Sequence, residues 1–189
     1  MAQADDWSWE RYRPLLKLQV RQLELDPRLQ RRFDSSDLVQ DTLFQAIKNV
    51  DQFKGRTEEE RVAWLRKICR NKAIDRYREE TARKGDVRRD QSIQAFEDSS
   101  DRWDRVLGNE DARPDHEAER REFLLRLAGA MEELSDDQRD AVLLIHLMRF
   151  KLSEAVEQMG RTEKSIAGLV RRGLEKLQAL MPEFEPANP

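Results

Sequence analysis

Five residues in the middle of the chain, Trp64, Ile68, Asn71, Asp75 and Arg78, are spaced four, three, four and three apart. Residues three and four apart stack on one face of an α-helix, whereas neighbours along a strand alternate between faces. The spacing therefore commits this stretch to a long helix with one face that passes from apolar to polar. Its apolar end, Trp64 and Ile68, is expected to pack on a core, and its polar end to meet a partner. Around the polar end stand Lys67, Arg70, Lys72, Arg76, Arg83 and Lys84, with Tyr77 among them. Basic side chains interleaved with an aromatic suit a surface that holds a phosphate backbone and stacks on unpaired bases.

The rest of the chain follows the same helical grammar, with no alternating strand pattern. Tyr12, Leu15, Leu16, Gln19 and Leu23 form a first stripe that ends near Asp26-Pro27. A second helix runs from about Ser36 to Lys48, with Leu38, Val39, Leu43 (or Thr42), Ala46 and Ile47 on one side. Thr57 and Glu60 make a capping box that opens the third helix. Past Lys84 come Gly85, Gly108, Pro114 and paired serines, which read as a linker. Periodicity returns with Phe123, Leu124, Leu127, Met131 and Leu134. Ser135 and Gln138 form another capping box before a helix carrying Ala141, Val142, Ile145 and Met148. Ser153 is expected to cap a short helix through Met159, Gly160 to end it, and Thr162 to cap the last helix, to about Leu180. The expected fold is all-α, with two small helical domains at 1–84 and 116–181, an acidic linker at 85–115 and a tail at 182–189.

Composition agrees with that division. In 189 residues, 38% hydrophobic content beside 39% charged is low for one compact core but suits two small domains. The net charge of −3 hides segregation: residues 61–89 are mainly basic, while Glu97, Asp98, Asp101, Asp104, Glu110, Asp111, Asp115, Glu117 and Glu119 make the following segment acidic. Cys69 is the only cysteine, so no internal disulfide forms and a reducing compartment is expected, with Cys69 as a small buried side chain. The N-terminus lacks the basic and apolar regions of a signal peptide, and no apolar run reaches the roughly 18 residues of a membrane span. A cytoplasmic protein with no membrane contact is expected. His116 and His146 stand in no metal-ligand spacing, and there is no phosphate-cradling glycine loop or nucleophile motif, so neither an enzyme nor a bound cofactor is expected. His146 reads as a partly buried helix residue.

The stretch 37–78 resembles region 2 of bacterial RNA polymerase sigma factors of the extracytoplasmic-function type. That pattern runs Asp-Leu-x-Gln, a Phe-x-Gly-type loop, Trp-Leu-x-x-Ile, then Asn-x-x-x-Asp-x-x-Arg. Here it is carried by Asp37, Leu38, Gln40, Asp41, Leu43, Phe53, Gly55, Trp64, Leu65, Ile68, Asn71, Asp75 and Arg78. The resemblance implies that Asp37, Gln40, Asp41 and Phe44 meet the clamp coiled coil of core RNA polymerase, with Leu38 and Leu43 in the core. It implies that Phe53, Lys54 and Gly55 form a pocket for a base flipped out of the melted −10 element, with Asn71 beside it. Lys67, Arg70, Lys72 and Arg76 would then hold phosphates, and Asp75 would pair with an arginine on the domain surface.

Two helices joined by a glycine-containing turn near the C-terminus are either a DNA-reading helix-turn-helix or an ordinary helical hairpin. Ile166, Val170, Leu174 (with Gly173), Leu177 and Met181 are expected to face the core, leaving Lys164, Ala167, Gly168, Arg171 and Arg172 outward. The segment 134–177 resembles sigma region 4, in the run Leu-Ser-x-x-Gln-Arg before the turn and Thr-Glu-x-Ser-Ile after it. It departs where the family has a basic residue, a small polar one and an arginine, for here stand Ala167, Gly168 and Leu169. The implied −35 contact set is Arg161, Thr162, Lys164, Ala167, Gly168, Arg171 and Arg172, with Lys176 at its edge. Gly168 and Gly173 should each cost about 1 kcal/mol relative to alanine; either close approach to duplex DNA or tight packing on a neighbouring helix would explain them. Together the resemblances imply a sigma factor that binds core polymerase and promoter DNA. They also admit an anti-sigma factor as partner, which no residue here identifies. The competing reading is a stand-alone helix-turn-helix regulator that binds duplex DNA as a dimer.

Overall fold

The computed structural model describes residues 8–26, 35–82 and 117–184, together with Gln94 and Asp98. The acidic linker expected at 85–115 lies otherwise outside the described residues, as do Arg83, Lys84 and most of the tail. The chain divides into two compact units, Met1–Leu125 and Arg126–Pro189.

In the first unit a 3-10 turn, Trp9–Tyr12, leads into α1 (Arg13–Glu24), with Pro14 in the first turn where its missing N–H is not needed. α1 is buried around most of its circumference, by Leu15, Leu16, Leu18, Val20 and Leu23 and also by Gln19 and Gln22. It packs on α2 (Ser35–Lys48) and α3 (Glu58–Ala82), which pack on each other. α2 buries Leu38, Val39, Thr42, Leu43 and Ala46. Ile47, expected on that stripe, is exposed; it lies in the last turn, beyond the edge of the buried face.

α3 departs most from expectation. Its core face is Val62, Leu65, Cys69, Ala73 and Tyr77, and not the Trp64–Ile68 register, whose two residues are only half-buried. Both registers start apolar, but the one that is buried carries the small Cys69 and Ala73, and these let α2 come close. The Cys69 thiol is hydrogen-bonded to Thr42 of α2, and its burial pushes its pKa up to about 11, so it stays protonated. Tyr77 is 2% exposed and is a core residue; it is not available to stack on bases. The Thr57–Glu60 capping box forms as expected, with Glu60 N–H donating to Thr57 Oγ1 at 3.3 Å and Thr57 N–H to Glu60 Oε2 at 3.0 Å.

In the second unit lie the end of α4 (Glu117–Glu132), α5 (Asp136–Val142), α6 (Leu152–Met159) and α7 (Glu163–Leu180). The Arg139 guanidinium closes the end of α4, donating to the carbonyls of Met131, Glu132 and Leu134 at 2.9, 3.0 and 3.0 Å. Ser135 and Gln138 form their capping box. Beyond Val142 the helix widens through Leu143–Leu147, where the Met148 N–H reaches back five residues to the Leu143 carbonyl. Arg149 then takes a left-handed conformation with φ 58°.

α6 is not capped by Ser153, which lies inside the helix. The extended backbone that precedes the first turn falls at Lys151, whose N–H donates to the Glu154 carboxylate at 2.6 Å. Gly160 ends α6 with φ 62°, and Thr162 caps α7 by accepting the Ser165 N–H at 3.3 Å. The buried stripe of α7 is Ile166, Leu169, Gly173 and Leu177; Val170 and Leu174 are only half-buried.

Candidate nucleic-acid interface

The loop between α2 and α3 is fixed from both ends. After the 3-10 turn Val50–Gln52, the Phe53 ring packs against Trp64 of α3 with centroids 5.3 Å apart at 43°. A Cβ on Gly55 would lie 2.3 Å from that ring and 2.7 Å from Glu60 Cβ, so only glycine fits there. The Glu60 carboxylate accepts the N–H groups of Arg56 and Thr57, which hold its pKa below the usual value and tie the loop to α3.

Two pockets flank Trp64. One, of about 400 Å³, is lined by Phe53, Lys54, Gly55, Gln52, Trp64 and Lys67. The other, of about 410 Å³, lies between the end of α2 and α3, where Gln45, Asn49 and Gln52 face Trp64, Lys67 and Asn71. Ile68, Lys72 and Asp75 complete it. The Trp64-Ile68-Asn71-Asp75 face thus exists as one surface, but it walls a groove and does not enter the core.

The expected −10 residues are therefore divided. Phe53, Lys54 and Gly55 share one pocket with Lys67, while Asn71 and Lys72 line the other, with Lys67 common to both. Arg70, about 100° around the helix from Asn71, lines neither. Arg76 pairs with Asp41 of α2 at 2.5 Å. Asp75 pairs with Arg78 at 3.8 Å, an arginine on its own helix. Gln45, Asn49 and Gln52 were not among the expected site residues; the four-residue step from Gln45 to Asn49 was the signal in the sequence.

On the outer side of α2, Asp37 and Gln40 are exposed, Asp41 is half-exposed and Phe44 is 68% exposed, while Leu38 and Leu43 are buried. These four expected polymerase contacts share one helix face. The exposed Ile47, three residues past Phe44, adds a second apolar side chain near it.

In the second unit Lys164, Ala167, Arg171 and Arg172 are exposed along the first three turns of α7, with Gly168 half-buried. Their surroundings differ. Arg161 pairs with Asp137 at 2.5 Å and Arg171 with Glu175 at 2.5 Å, while Lys176 donates to the Glu133 carbonyl. Lys164 and Arg172 have no acidic partner among the described residues. Leu169, where the resemblance has arginine, belongs to the core. The two glycines part company as well. A Cβ on Gly173 would meet Val142 Cγ2 at 2.9 Å, so this glycine serves helix packing, whereas one on Gly168 would meet only the Arg172 guanidinium, at 3.2 Å. Among the described residues no helix is long and apolar enough to cross a membrane, and no group of acidic, histidine and cysteine side chains could hold a metal.

Comparison with known proteins matches both halves. A family model described as Sigma-70 region 2 covers residues 9–83, and one described as Sigma-70, region 4 covers residues 124–177. The ECF RNA polymerase sigma factor EcfG of Rhodopseudomonas palustris is 30% identical over 147 residues, 78% of this chain and 71% of that protein. The ECF RNA polymerase sigma factor SigX of Bacillus subtilis is 25% identical over 148 residues, 78% of this chain and 70% of its own length. A solved sigma factor RpoE in complex with the anti-sigma factor NepR, from Bartonella quintana, aligns over 96% of this chain and 99% of that one at 24% identity. Its TM-score is 0.35.

Proposed function

The chain belongs to the extracytoplasmic-function RNA polymerase sigma factors, and we propose that its first unit captures the melted −10 element while α7 reads the −35 duplex. As a sigma factor it binds core RNA polymerase and directs initiation at particular promoters. The observation that carries the −10 assignment is the loop pocket, in which Gly55 lets the Phe53 ring close against Trp64 beside Lys67. Extruding a base costs a few kcal/mol. Stacking on an aromatic side chain returns about 1–3 kcal/mol per base, and Lys54 and Lys67 stand ready for the adjoining phosphates.

Asp37, Gln40, Asp41 and Phe44 form the polymerase-facing surface, a mixed apolar and acidic strip suited to a basic, amphipathic partner. On α7 the burden of DNA contact falls on Lys164 and Arg172, with Ala167 and Gly168 between them and Arg171 shared with Glu175. The protein acts by binding alone, without a catalytic centre, and works in the cytoplasm where polymerase and promoter are found. An anti-sigma partner fits the family but no particular surface here. A stand-alone dimeric regulator would have no use for the first unit.

The test is co-elution. The chain should elute with core polymerase, and start sites mapped after its overexpression should share a two-block promoter. Retention on a duplex fragment without polymerase, and scattered start sites, would refute the assignment.

A further inference from the structure

We propose that the groove between the end of α2 and the middle of α3 is a second base pocket, which takes an unpaired adenine next to the base held by the loop. The proposal rests on the first unit capturing single-stranded promoter DNA. The groove matches the loop pocket in size, about 410 against about 400 Å³, and Trp64 and Lys67 line both. A strand that places one base in the loop pocket therefore crosses the Trp64 edge directly into the groove, with Lys67 beside the linking phosphate.

The walls differ in chemistry. The loop pocket offers the Phe53 and Trp64 rings, Lys54 and Lys67, the Glu60 carboxylate and a single amide, Gln52. The groove offers four primary amides, Gln45, Asn49, Gln52 and Asn71, and the carboxylate of Asp75. Each amide presents a donor and an acceptor together. That pairing matches the amino group and ring nitrogen of adenine, whether on the Hoogsteen edge or, in a single strand, on the Watson–Crick edge. A groove that only tracked the backbone would be lined chiefly by cations, yet only Lys67 and Lys72 are cationic here.

The test uses holoenzyme, saturated with the sigma subunit, on pre-melted promoter DNA randomised through the −10 block. Wild type is compared with Gln45→Ala and Asn49→Ala, with the isosteric Gln45→Glu and Asn49→Asp, and with a chain whose residues 51–56 come from another family member. Circular dichroism checks that each variant folds, and the isosteric pair replaces any alanine variant that does not.

Loss of roughly fivefold or more of adenine preference at one position adjacent to the loop-dependent one, with the loop-dependent preference kept, supports the second pocket. An unchanged base profile in all groove variants, with a shifted profile in the loop exchange, overturns the second pocket and leaves −10 capture standing. A uniform fall in affinity without altered preference also overturns it, because the groove then holds only phosphate. If the loop exchange too leaves the profile unchanged, −10 capture fails and the second pocket falls with it.

Discussion

The Asp41 carboxylate of α2 accepts the Arg76 guanidinium of α3 at 2.5 Å, joining a residue assigned to polymerase with one assigned to promoter phosphates. Both side chains are partly exposed, so the pair is worth only about 0.2–1 kcal/mol. Its consequence is positional. Arg76 holds the carboxylate on the α2 face that also carries Gln40 and Phe44.

Asp41→Arg should accordingly lower core polymerase affinity at least about tenfold, by placing like charges across the interface, with helical content unchanged. Adding Arg76→Asp should recover the melting temperature but not the affinity. Equilibrium binding to core polymerase, beside thermal unfolding, tests this; unaltered affinity in Asp41→Arg would remove Asp41 from the interface.

The two glycines of α7 should respond oppositely to alanine. Gly173→Ala drives a methyl group into Val142, a stiff β-branched neighbour, and should destabilise the second unit by about 1–3 kcal/mol. Gly168→Ala meets only a flexible guanidinium and should stabilise the helix by up to about 1 kcal/mol. Thermal unfolding of the two variants decides, and equal effects would contradict the packing account.

Much of this was legible in the sequence. Both Ser/Thr–Glu/Gln capping boxes, the Gly160 stop and the Thr162 cap are local devices, set by residues within one turn of each other, and all are present. The register of α3 and part of that of α7 were not legible. Trp64 and Leu65 are both apolar, and which of them faces inward depends on how closely α2 approaches Cys69 and Ala73. On α7, Gly173 was legible on the core stripe and lies against Val142 of α5, whereas the buried Leu169 was not expected there. Trp64, Ile68, Asn71 and Asp75 do share one face, but its apolar end, expected to pack on the core, walls a groove instead; the opposite wall, Gln45, Asn49 and Gln52, comes from the end of α2 and the turn after it and appears only in three dimensions. Ser153 failed as a cap because Lys151, with only its backbone, occupies the extended position.

His146 gives a pH dependence. It is half-buried in the widened turn, and burial, followed by the nearby Arg149 charge, lowers its pKa from the ordinary 6.5. The unfolded chain therefore takes up the proton more readily, so this contribution is fully present above pH 6.5 and is lost as pH falls below it. The melting temperature should drop over that window in wild type and drop less in His146→Gln. Parallel curves for the two proteins would exclude His146 as the cause.

On α7, Arg172→Ala should lower the salt slope of promoter binding by about 1 if Arg172 neutralises a phosphate, or cost about 1–3 kcal/mol at one −35 base if it reads a guanine. Ala167→Arg, which restores the family's cation on an exposed position, should strengthen binding or change −35 preference. Binding across a salt series, on fragments with and without the −35 block, distinguishes these outcomes; silence of both variants on both fragments would mean that α7 does not read DNA.

Run-off transcription from a start site mapped in cells that overexpress the chain decides whether it acts as a sigma factor at a two-block promoter. Core polymerase is assayed alone and loaded with the chain, on the intact promoter and on versions with the −10 or the −35 block scrambled. A transcript from the mapped start is expected only with the chain present, abolished by the scrambled −10 block and weakened by the scrambled −35 block. Absence of any start-specific transcript, from a chain that instead binds the intact duplex as a dimer without polymerase, would contradict that role.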